Sequence, residues 1–469
     1  MPMDTKGISR NAGPLAQQAL DSIHHASLKV LQETGLRVDC LDFHAPLAQA
    51  GALVARESRV VRFPPELVEH MLADLKSKIA GGRRQYLLNG VTNPRWTPPL
   101  GCKFGGACIE YLDPETQAVR TPNEQDLIRL LQLGEALDSV GFVGNPVACL
   151  VDANGHKVPG AMQRIKTAAL VAKHTTKCGS TEVWNEQELE FLMEIGDIVR
   201  GGREAYRTAP CFVTAKETIA PLQFPAEDGR ILLMLARYGL PCTIVPMPIT
   251  GSTCPCSTAG NIVMANAEIL GAMTCIHTAA PAASIGGGVI SGIMDMSTGS
   301  ACFATPEVLL QDAGLAQLYD SRYGQDLAIG TGYIDAKYPG TQALAEKATK
   351  MDMAARQGRM NFPVGLLAGG KRFSPVEAII ELEMADYIRR LATGINVTPD
   401  TLATEIIGEV GIGGEFLSHN HTLTQFRETL WRPQLLDRRM PTAMADERNT
   451  DILVPANEKL RAIWKRDDL

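Results

Sequence analysis

The sequence predicts an α/β protein whose main unit is a (β/α)₈ TIM barrel with an N-terminal helical extension. Its 469 residues exceed the length of a typical domain, so the chain buries one large core or several smaller ones. From about residue 100 onwards, short β-rich runs alternate with helical patterns, which is the rhythm of a parallel sheet. Eight strand and helix pairs can be counted in this way, the number that closes a barrel.

Residues 1–100 predict a helical cap region that precedes the barrel. Its predicted elements are a helix over 14–35, short strands over 36–38 and 59–63, and a helix from Pro64-Pro65 to about Ile79. Asn93-Pro94 and Pro98-Pro99 mark the exit from this region. Residues 101–469 then form the TIM-barrel domain with a C-terminal extension.

The barrel is predicted between Lys103 and Ala392. Its strands are predicted near 103–111, 141–148, 177–183, 210–215, 242–247, 282–285, 326–329 and 362–367. Its helices are predicted near 122–137, 161–173, 186–200, 226–238, 259–277, 306–323, 341–356 and 375–392. An open, doubly wound sheet is the alternative, but no predicted strand is followed by a G-x-G-x-x-G turn. Gly286-Gly287-Gly288 comes closest and lacks a helix start directly after it.

The composition is that of a folded globular protein. Hydrophobic residues make up 45% and charged residues 21%, and the net charge of −7 argues against nucleic acid as a partner. Because the eleven cysteines show no repeated spacing and the N-terminus lacks a signal-peptide pattern, we expect a cytoplasmic protein. The uncharged stretches 238–267 and 269–294 are interrupted by proline and glycine, so we expect buried strands and helices and not membrane spans. A homo-oligomer is also expected.

The loops that follow the predicted strands carry carboxylates, thioethers and aromatic rings. Barrel enzymes build their active sites from these loops. In chain order these residues are Glu182 with Trp184, Glu217, Asp295 between two methionines, and Tyr333, and each follows a predicted strand. Carboxylates and ring faces attract a permanently charged ammonium group, so the pattern indicates a cation site. Alternatively, the rings and thioethers fill the barrel mouth, and the carboxylates are solvated or cap the next helix.

Two cysteine and histidine motifs are weaker. Cys254-Pro255-Cys256 could bind zinc through two thiolates, but no cluster of cysteine or histidine follows nearby, so buried thiols are favoured and no metal site is predicted. His419 and His421 could ligate a metal or act as a base, or they could make structural hydrogen bonds.

Several separated segments carry a family resemblance. They are Gly35-Leu36-Arg37-Val38, Ala220-Pro221-Leu222-Gln223-Phe224, the stretch 251–335 with Met294-Asp295-Met296-Ser297-Thr298-Gly299, and Gly413-Gly414-Glu415-Phe416-Leu417-Ser418-His419-Asn420-His421-Thr422. In their order and spread over most of the chain they resemble the trimethylamine methyltransferase family of corrinoid-dependent methylamine enzymes. The resemblance implies a barrel that moves a methyl group from an amine to the Co(I) of a separate corrinoid protein docked over its mouth. The cobalamin cofactor then belongs to that partner.

One departure from the family pattern bears on the substrate. In the archaeal trimethylamine enzymes pyrrolysine lies at the barrel mouth, and that region falls near 330–335, where this sequence has ordinary residues. In this respect the sequence resembles family members without pyrrolysine, which demethylate quaternary amines such as glycine betaine. A quaternary ammonium already carries a neutral tertiary amine as its leaving group, so Co(I) can displace it without an electrophilic side chain. The protein needs to hold the cation, aim one methyl group and exclude water, and no catalytic residue is assigned.

We therefore predict a methyltransferase that moves a methyl group from a small, glycine betaine-like quaternary amine to a cognate corrinoid protein. The predicted substrate-binding residues are Tyr333, Asp295, Glu217, Glu182, Phe104, Phe303 and His421. Tyr333 either offers its ring or hydroxyl to the substrate or packs under a loop. Two alternatives remain open: a non-catalytic quaternary-amine binding protein, and a metal-dependent barrel hydrolase or aldolase that uses Cys254, Cys256 or His421.

Overall fold

The N-terminal region combines helices with a small sheet. The computed structural model describes residues 13–80, 100–329, 332–357, 362–440 and 451–466. The first elements are α1 (Gln17–Lys29), a π-helical turn (Val30–Thr34), β1 (Leu36–Val38), a 3₁₀ turn (Leu41–Phe43), α2 (His44–Gln49), β2 (Leu53–Ala55), β3 (Val60–Arg62) and α3 (Pro65–Ala80). Gly35 ends the first helix at a φ of +86°, which glycine adopts without strain. The predicted exits at Asn93-Pro94 and Pro98-Pro99 lie outside the described residues, and the domain division near residue 100 stays a prediction.

Short strands follow from residue 100 onwards. They are β4 (Cys102–Phe104), β5 (Glu110–Leu112), β6 (Val119–Arg120), β7 (Val140–Val143), β8 (Ala215–Lys216), β9 (Gln223–Phe224), β10 (Cys242–Ile244), β11 (Ile249–Thr250), β12 (Ile285–Gly288), β13 (Gly292–Asp295), β14 (Ser300–Cys302), β15 (Leu327–Ala328), β16 (Phe362–Pro363), β17 (Leu366–Leu367) and β18 (Arg372–Phe373). Strands occur near every predicted position except 177–183, where single bridges from Cys178 and Ser180 take the place of a continuous strand.

Eight of the helices between the strands match their predicted positions closely, and a short helix over 203–208 was not predicted. In chain order the helices are α4 (Glu124–Ala136), α5 (Gly160–His174), α6 (Glu186–Arg200), α7 (Arg203–Thr208), α8 (Ala226–Tyr238), α9 (Thr258–Ala279), α10 (Pro306–Leu318), α11 (Thr341–Arg356) and α12 (Pro375–Ala392). The C-terminal extension adds α13 (Pro399–Leu402), α14 (Thr404–Val410), α15 (Asn420–Thr429) and α16 (Leu453–Trp464). Asn123, Asn185, Ser257 and Ser374 start four of the helices by accepting a backbone N–H, as capping residues do.

Parallel strands pair in chain order. Hydrogen bonds join β16 to β4, β4 to β7, and β8 to β10, β12 and β15 in succession. Bridges from Val143 to Cys178 and from Ser180 to Val213 connect the two groups through the segment 178–180. These pairings link all eight predicted strand positions in one series of parallel neighbours, which gives the α/β architecture. Closure of the series between β15 and β16, beside residues outside the described ranges, stays a prediction.

The N-terminal region is joined to the parallel sheet by a strand and by helix packing. β9, in the loop after β8, pairs in parallel with β1 and extends the small sheet of β1, β2 and β3 to four strands. Helices α1 and α3 pack on α9. Among the described residues, α9 is the one helix long and apolar enough to cross a membrane, and most of it is buried here by its neighbours.

Two small sheets extend beyond the carboxyl ends of the parallel strands. One contains β11, β13 and β14, which follow β10 and β12 along the chain. The other contains β17, β18, β5 and β6, which follow β16 and β4. They stand at the edge of the parallel sheet where (β/α)₈ enzymes carry their active sites.

Candidate active site at the carboxyl ends of the strands

A cavity of about 140 Å³ lies at the carboxyl ends of the parallel strands. Six strand ends contribute to it, through Lys103, Glu217, Val245, Gly288, Ile329 and Pro363. Tyr333 and Leu366 complete its wall. A cavity of roughly 150 Å³ is known to hold benzene, so this one admits a small molecule.

Strand alternation places Glu217 in this cavity. Side chains along a strand point alternately to opposite sides. Ala215 and Glu217 line the cavity, whereas Lys216 between them turns toward α8. There the Lys216 Nζ lies 2.7 Å from Asp228 Oδ1 and donates a hydrogen bond of 3.0 Å to the Val183 carbonyl. The Lys216 charge is therefore compensated outside the cavity, and Glu217 remains available inside it.

Two carboxyl groups with raised pKa values lie at this end of the sheet. The surrounding protein desolvates Glu217 and raises the pKa of its carboxyl to about 7, and the charges of Asp228 and Glu182 also raise it. Desolvation raises the pKa of Glu182 as well, although Arg164 and Lys216 oppose the shift. Both side chains keep solvent-exposed surface, so the desolvation comes from the walls of an open recess. A cation entering the recess would stabilise the ionised form of both groups.

Tyr333 forms the aromatic part of the wall. Its ring meets the ring of Phe303 edge to face, with 5.7 Å between the centroids. On its other side lies Gly370, where any Cβ would collide with the tyrosine ring. Burial raises the pKa of the Tyr333 hydroxyl, and the charges of Glu182 and Glu217 add to the shift, so these carboxylates lie close to the ring.

Buried charges behind the wall hold Tyr333 in place. The Lys350 Nζ on α11 donates hydrogen bonds to the carbonyls of Tyr333, at 2.9 Å, and Phe303. The Asp335 carboxylate accepts from the backbone N–H groups of Phe303, at 2.8 Å, and Ala304. These bonds tie the segment after β15 to the segment after β14, and Asp335 therefore organises the loops.

The comparisons with known proteins assign this chain to a family. The sequence profile described as trimethylamine methyltransferase (MTTB) matches residues 3–468. The chain belongs to the trimethylamine methyltransferase family. It is therefore a methyltransferase, and the resemblance predicted from its motifs is confirmed.

Two curated relatives and one solved structure agree with this assignment. The trimethylamine methyltransferase MttB of Desulfitobacterium hafniense DCB-2 is 27% identical over 91% of this chain and 84% of its own length. The glycine betaine methyltransferase of D. hafniense Y51 is 25% identical over 96% of this chain and 91% of its own length. The monomethylamine methyltransferase of Methanosarcina barkeri superposes with a TM-score of 0.50 and 12% identity, covering 97% of this chain and 89% of that one, and this supports the fold.

Within this methyltransferase, the predicted site residues fall into two groups. Tyr333 and Glu217 line the cavity, and Glu182 acts on both electrostatically. Phe303 supports Tyr333 from behind. The other three predicted residues, Asp295, Phe104 and His421, do not line the cavity in the part of the chain that the structure describes.

Local hydrogen bonds and strand direction explain these three placements. Asp295 is the last residue of β13, and Ser297 and Thr298 of the following turn donate to its carboxylate. The Ser297 hydroxyl in particular lowers the pKa of this carboxyl. Phe104 points away from the cavity and packs edge-on against Phe373, with 5.5 Å between centroids. His421 lies in the first turn of α15, far along the C-terminal extension.

The residues suggested for a metal site are also separated. Cys254 is buried and accepts a hydrogen bond of 3.3 Å from Asn261 Nδ2, whereas Cys256 is exposed. Within the described ranges no group of three or more histidine, cysteine, aspartate or glutamate side chains is arranged to hold a metal ion. No observation therefore favours the hydrolase or aldolase alternative.

Among the cavity residues that sequence reasoning missed, two bear directly on ligand binding. Lys103 on β4 lies in its wall, and Gly288 on β12 leaves space in it. A lysine between Cys102 and Phe104 in an apolar strand was a usable signal, because a charge inside a buried strand requires a partner or a function.

Proposed function

We propose that this methyltransferase takes a methyl group from a small quaternary amine, with glycine betaine as the first candidate, and passes it to the Co(I) of a corrinoid protein. The observation that carries the proposal is a small cavity lined by Glu217 and the Tyr333 ring, with the Glu182 carboxylate near enough to act on both. Anionic oxygens and a ring face attract a cation that has no N–H to donate. We also propose that the strand series closes between β15 and β16, which would enclose this cavity in a complete barrel.

The substrate class follows from the chemistry of the leaving group. Demethylation of a quaternary ammonium releases a neutral tertiary amine, so no acid is required to assist its departure. The residues of this chain then bind the cation, aim one methyl group outward and exclude water. The glycine betaine methyltransferase among the relatives supports this class. Gly330 and Thr331, in the segment that the resemblance aligned with pyrrolysine, lie outside the described residues.

In this proposal the methyl acceptor is a second substrate, which does not enter the cavity. A cavity of about 140 Å³ fits a small amine and has no room for a corrin ring. Cobalamin would therefore approach the opening from outside, as expected when a partner protein carries it.

A methyl-transfer assay tests the proposal. Purified protein is incubated with chemically reduced cob(I)alamin and either glycine betaine or trimethylamine, and the formation of methylcobalamin is followed by absorbance. We expect methylation of the cobalamin with glycine betaine and none with trimethylamine. Turnover of trimethylamine alone would contradict the proposed substrate class. Tight binding of glycine betaine without methyl transfer, either to free cob(I)alamin or to a reduced corrinoid protein, would favour a binding protein.

A further inference from the structure

Lys103 is a buried cation that faces the cavity and has no partner within the described part of the chain. Its neighbours on β4 fix its direction: the Cys102 thiol lies beside Arg389 of α12, and the Phe104 ring lies against Gly134 of α4. Both neighbours therefore point out of the sheet toward the helices. By strand alternation Lys103 points to the opposite side, where it lines the cavity with 9% of its surface exposed.

The other buried lysines of this protein show what is missing at Lys103. Lys177 donates to the carbonyls of Gly134 and Leu137, Lys216 pairs with Asp228, Lys347 pairs with Glu381, and Lys350 donates to Phe303 and Tyr333. Among the described residues, Lys103 alone of the five buried lysines has neither a hydrogen-bond acceptor nor an ion-pair partner for its Nζ. Burial lowers the pKa of Lys103 to about 8, and no carboxylate among the residues that the structure describes raises it in compensation. A buried ammonium without an acceptor is costly unless a ligand supplies one.

The carboxylates of the cavity lie elsewhere in the strand series. Glu217 follows β8, which is three strand positions from β4, and Glu182 follows the segment 178–180, which is two positions away. The cavity wall thus contains a positive group from β4 and a negative group, Glu217, after β8, and the Glu182 carboxylate acts on Glu217 from nearby. A zwitterion has the complementary distribution of charge.

We propose that Lys103 binds the carboxylate of a zwitterionic quaternary amine whose trimethylammonium head lies against Glu217, Glu182 and Tyr333. This inference rests on the proposed function and makes it more specific. The substrate is then an amino-acid betaine, and quaternary amines without an acidic group are poor ligands.

A binding experiment with matched ligands tests the role of Lys103. Glycine betaine and its carboxamide share the trimethylammonium head and the chain length, and differ in the negative charge. Titration calorimetry on the wild-type protein is expected to show that glycine betaine binds about 10- to 100-fold more tightly than its carboxamide. This ratio corresponds to the contribution of one buried hydrogen bond between charged groups. Lys103→Met is expected to remove this preference and leave the affinity for the carboxamide unchanged.

A second lysine provides the control. Lys371 is exposed, in the segment between β17 and β18 at the same end of the sheet, and Lys371→Met removes the same charge without touching the cavity. It is expected to retain the preference for glycine betaine. Thermal unfolding of Lys103→Met establishes whether that variant is folded; if it is not, the wild-type comparison of the two ligands decides.

Two outcomes would overturn the inference and are distinguishable. If the wild type binds glycine betaine and its carboxamide equally, or if Lys103→Met weakens both alike, the carboxylate contact is wrong while the quaternary-amine site stands. If neither ligand binds, the proposed function fails and this inference fails with it.

Discussion

Desolvation dominates the chemistry of the residues in the cavity. Glu217 and Lys216 are adjacent, but because side chains alternate along a strand, Glu217 lines the cavity and Lys216 pairs with Asp228 on the opposite side. The pKa of Glu217 is consequently raised to about 7, in the range where small changes of pH alter its charge. Asp295 shows the opposite case, since the hydrogen bonds of its own turn lower the pKa of its carboxyl.

Glu217 is expected to make substrate binding dependent on pH. Below about pH 7 its carboxyl is protonated and neutral, and above it the carboxylate attracts the cation, so KM for glycine betaine is expected to fall as pH rises from about 6 to about 7.5. Above that range the loss of the Lys103 proton, whose pKa is about 8, is expected to raise KM again, because the ammonium that binds the substrate carboxylate is lost. Glu217→Gln is expected to flatten this profile and to raise KM at pH 8 about fivefold, equivalent to about 1 kcal/mol of ionic attraction. Glu194→Gln, on the exposed face of α6, is the matched control and leaves KM unchanged. A Glu217→Gln enzyme whose KM still follows the wild-type profile would assign the titration to another group.

At the scale of elements, sequence patterns predicted helices better than strands. The helices over 186–200, 226–238, 341–356 and 375–392 have their predicted bounds, because amphipathic periodicity, caps and prolines mark both ends. Strands of two to four residues are too short to show a periodic pattern, so β2 and the small sheets beside the cavity were not predicted. The direction of Lys103 or Phe104 depends on strand register, which the sequence does not specify on its own.

Neighbouring glycines of β12 face opposite sides of the sheet. Gly286-Gly287-Gly288 resembled a dinucleotide turn in the sequence, and in the structure it is a parallel strand. A Cβ at Gly287 would lie 3.0 Å from Leu327 and 3.1 Å from Ile269 of α9, whereas one at Gly288 would lie 3.2 Å from Val245 in the cavity wall. The first position faces the helices and the second faces the ligand space.

Two neighbouring substitutions test this assignment. Gly288→Ala is expected to raise KM for glycine betaine about fivefold or more, because a methyl group intrudes on a small cavity at a cost of about 1 kcal/mol. Gly287→Ala is expected to lower the unfolding temperature through overpacking against α9 while leaving KM unchanged. Steady-state kinetics and thermal unfolding of both variants give the comparison. Equal effects of the two variants on KM would show that β12 influences the site only through general distortion.

At the scale of the whole molecule, buried histidines join the N-terminal region to the helices around the sheet. His24 of α1 hydrogen-bonds to Glu69 of α3, at 2.7 Å, and to Tyr323 beyond α10, at 2.9 Å. His277 of α9 hydrogen-bonds to Asp74 of α3, at 2.8 Å. Helix α3 is thus held by both α1 and α9, and these contacts add to the pairing of β1 with β9.

This attachment is expected to weaken in acid. Burial lowers the pKa of both His24 and His277 below the ordinary value of 6.5, despite their carboxylate partners. As pH falls through 6.5 the unfolded chain therefore takes up protons before the folded protein does, and the free energy of unfolding decreases. Glu217, Glu377 and Glu381 act in the opposite sense, because their pKa values are raised and the folded protein takes up their protons first.

The contribution of the two histidines to stability is therefore measured as the difference between the wild type and a variant that lacks them. The free energy of unfolding is compared for the wild type and a His24→Gln, His277→Gln double variant, from denaturant titrations at about pH 7.5 and about pH 5.5. Because glutamine does not titrate and the carboxylates are common to both proteins, the advantage of the wild type is expected to be larger at the higher pH and to shrink in acid. Hydrogen exchange in α3 should accelerate over the same range in the wild type alone. If the difference in the free energy of unfolding between the two proteins is the same at both pH values, the two histidines have the same protonation in the folded and unfolded states. The attachment of the N-terminal region would then depend on its apolar contacts and on the pairing of β1 with β9.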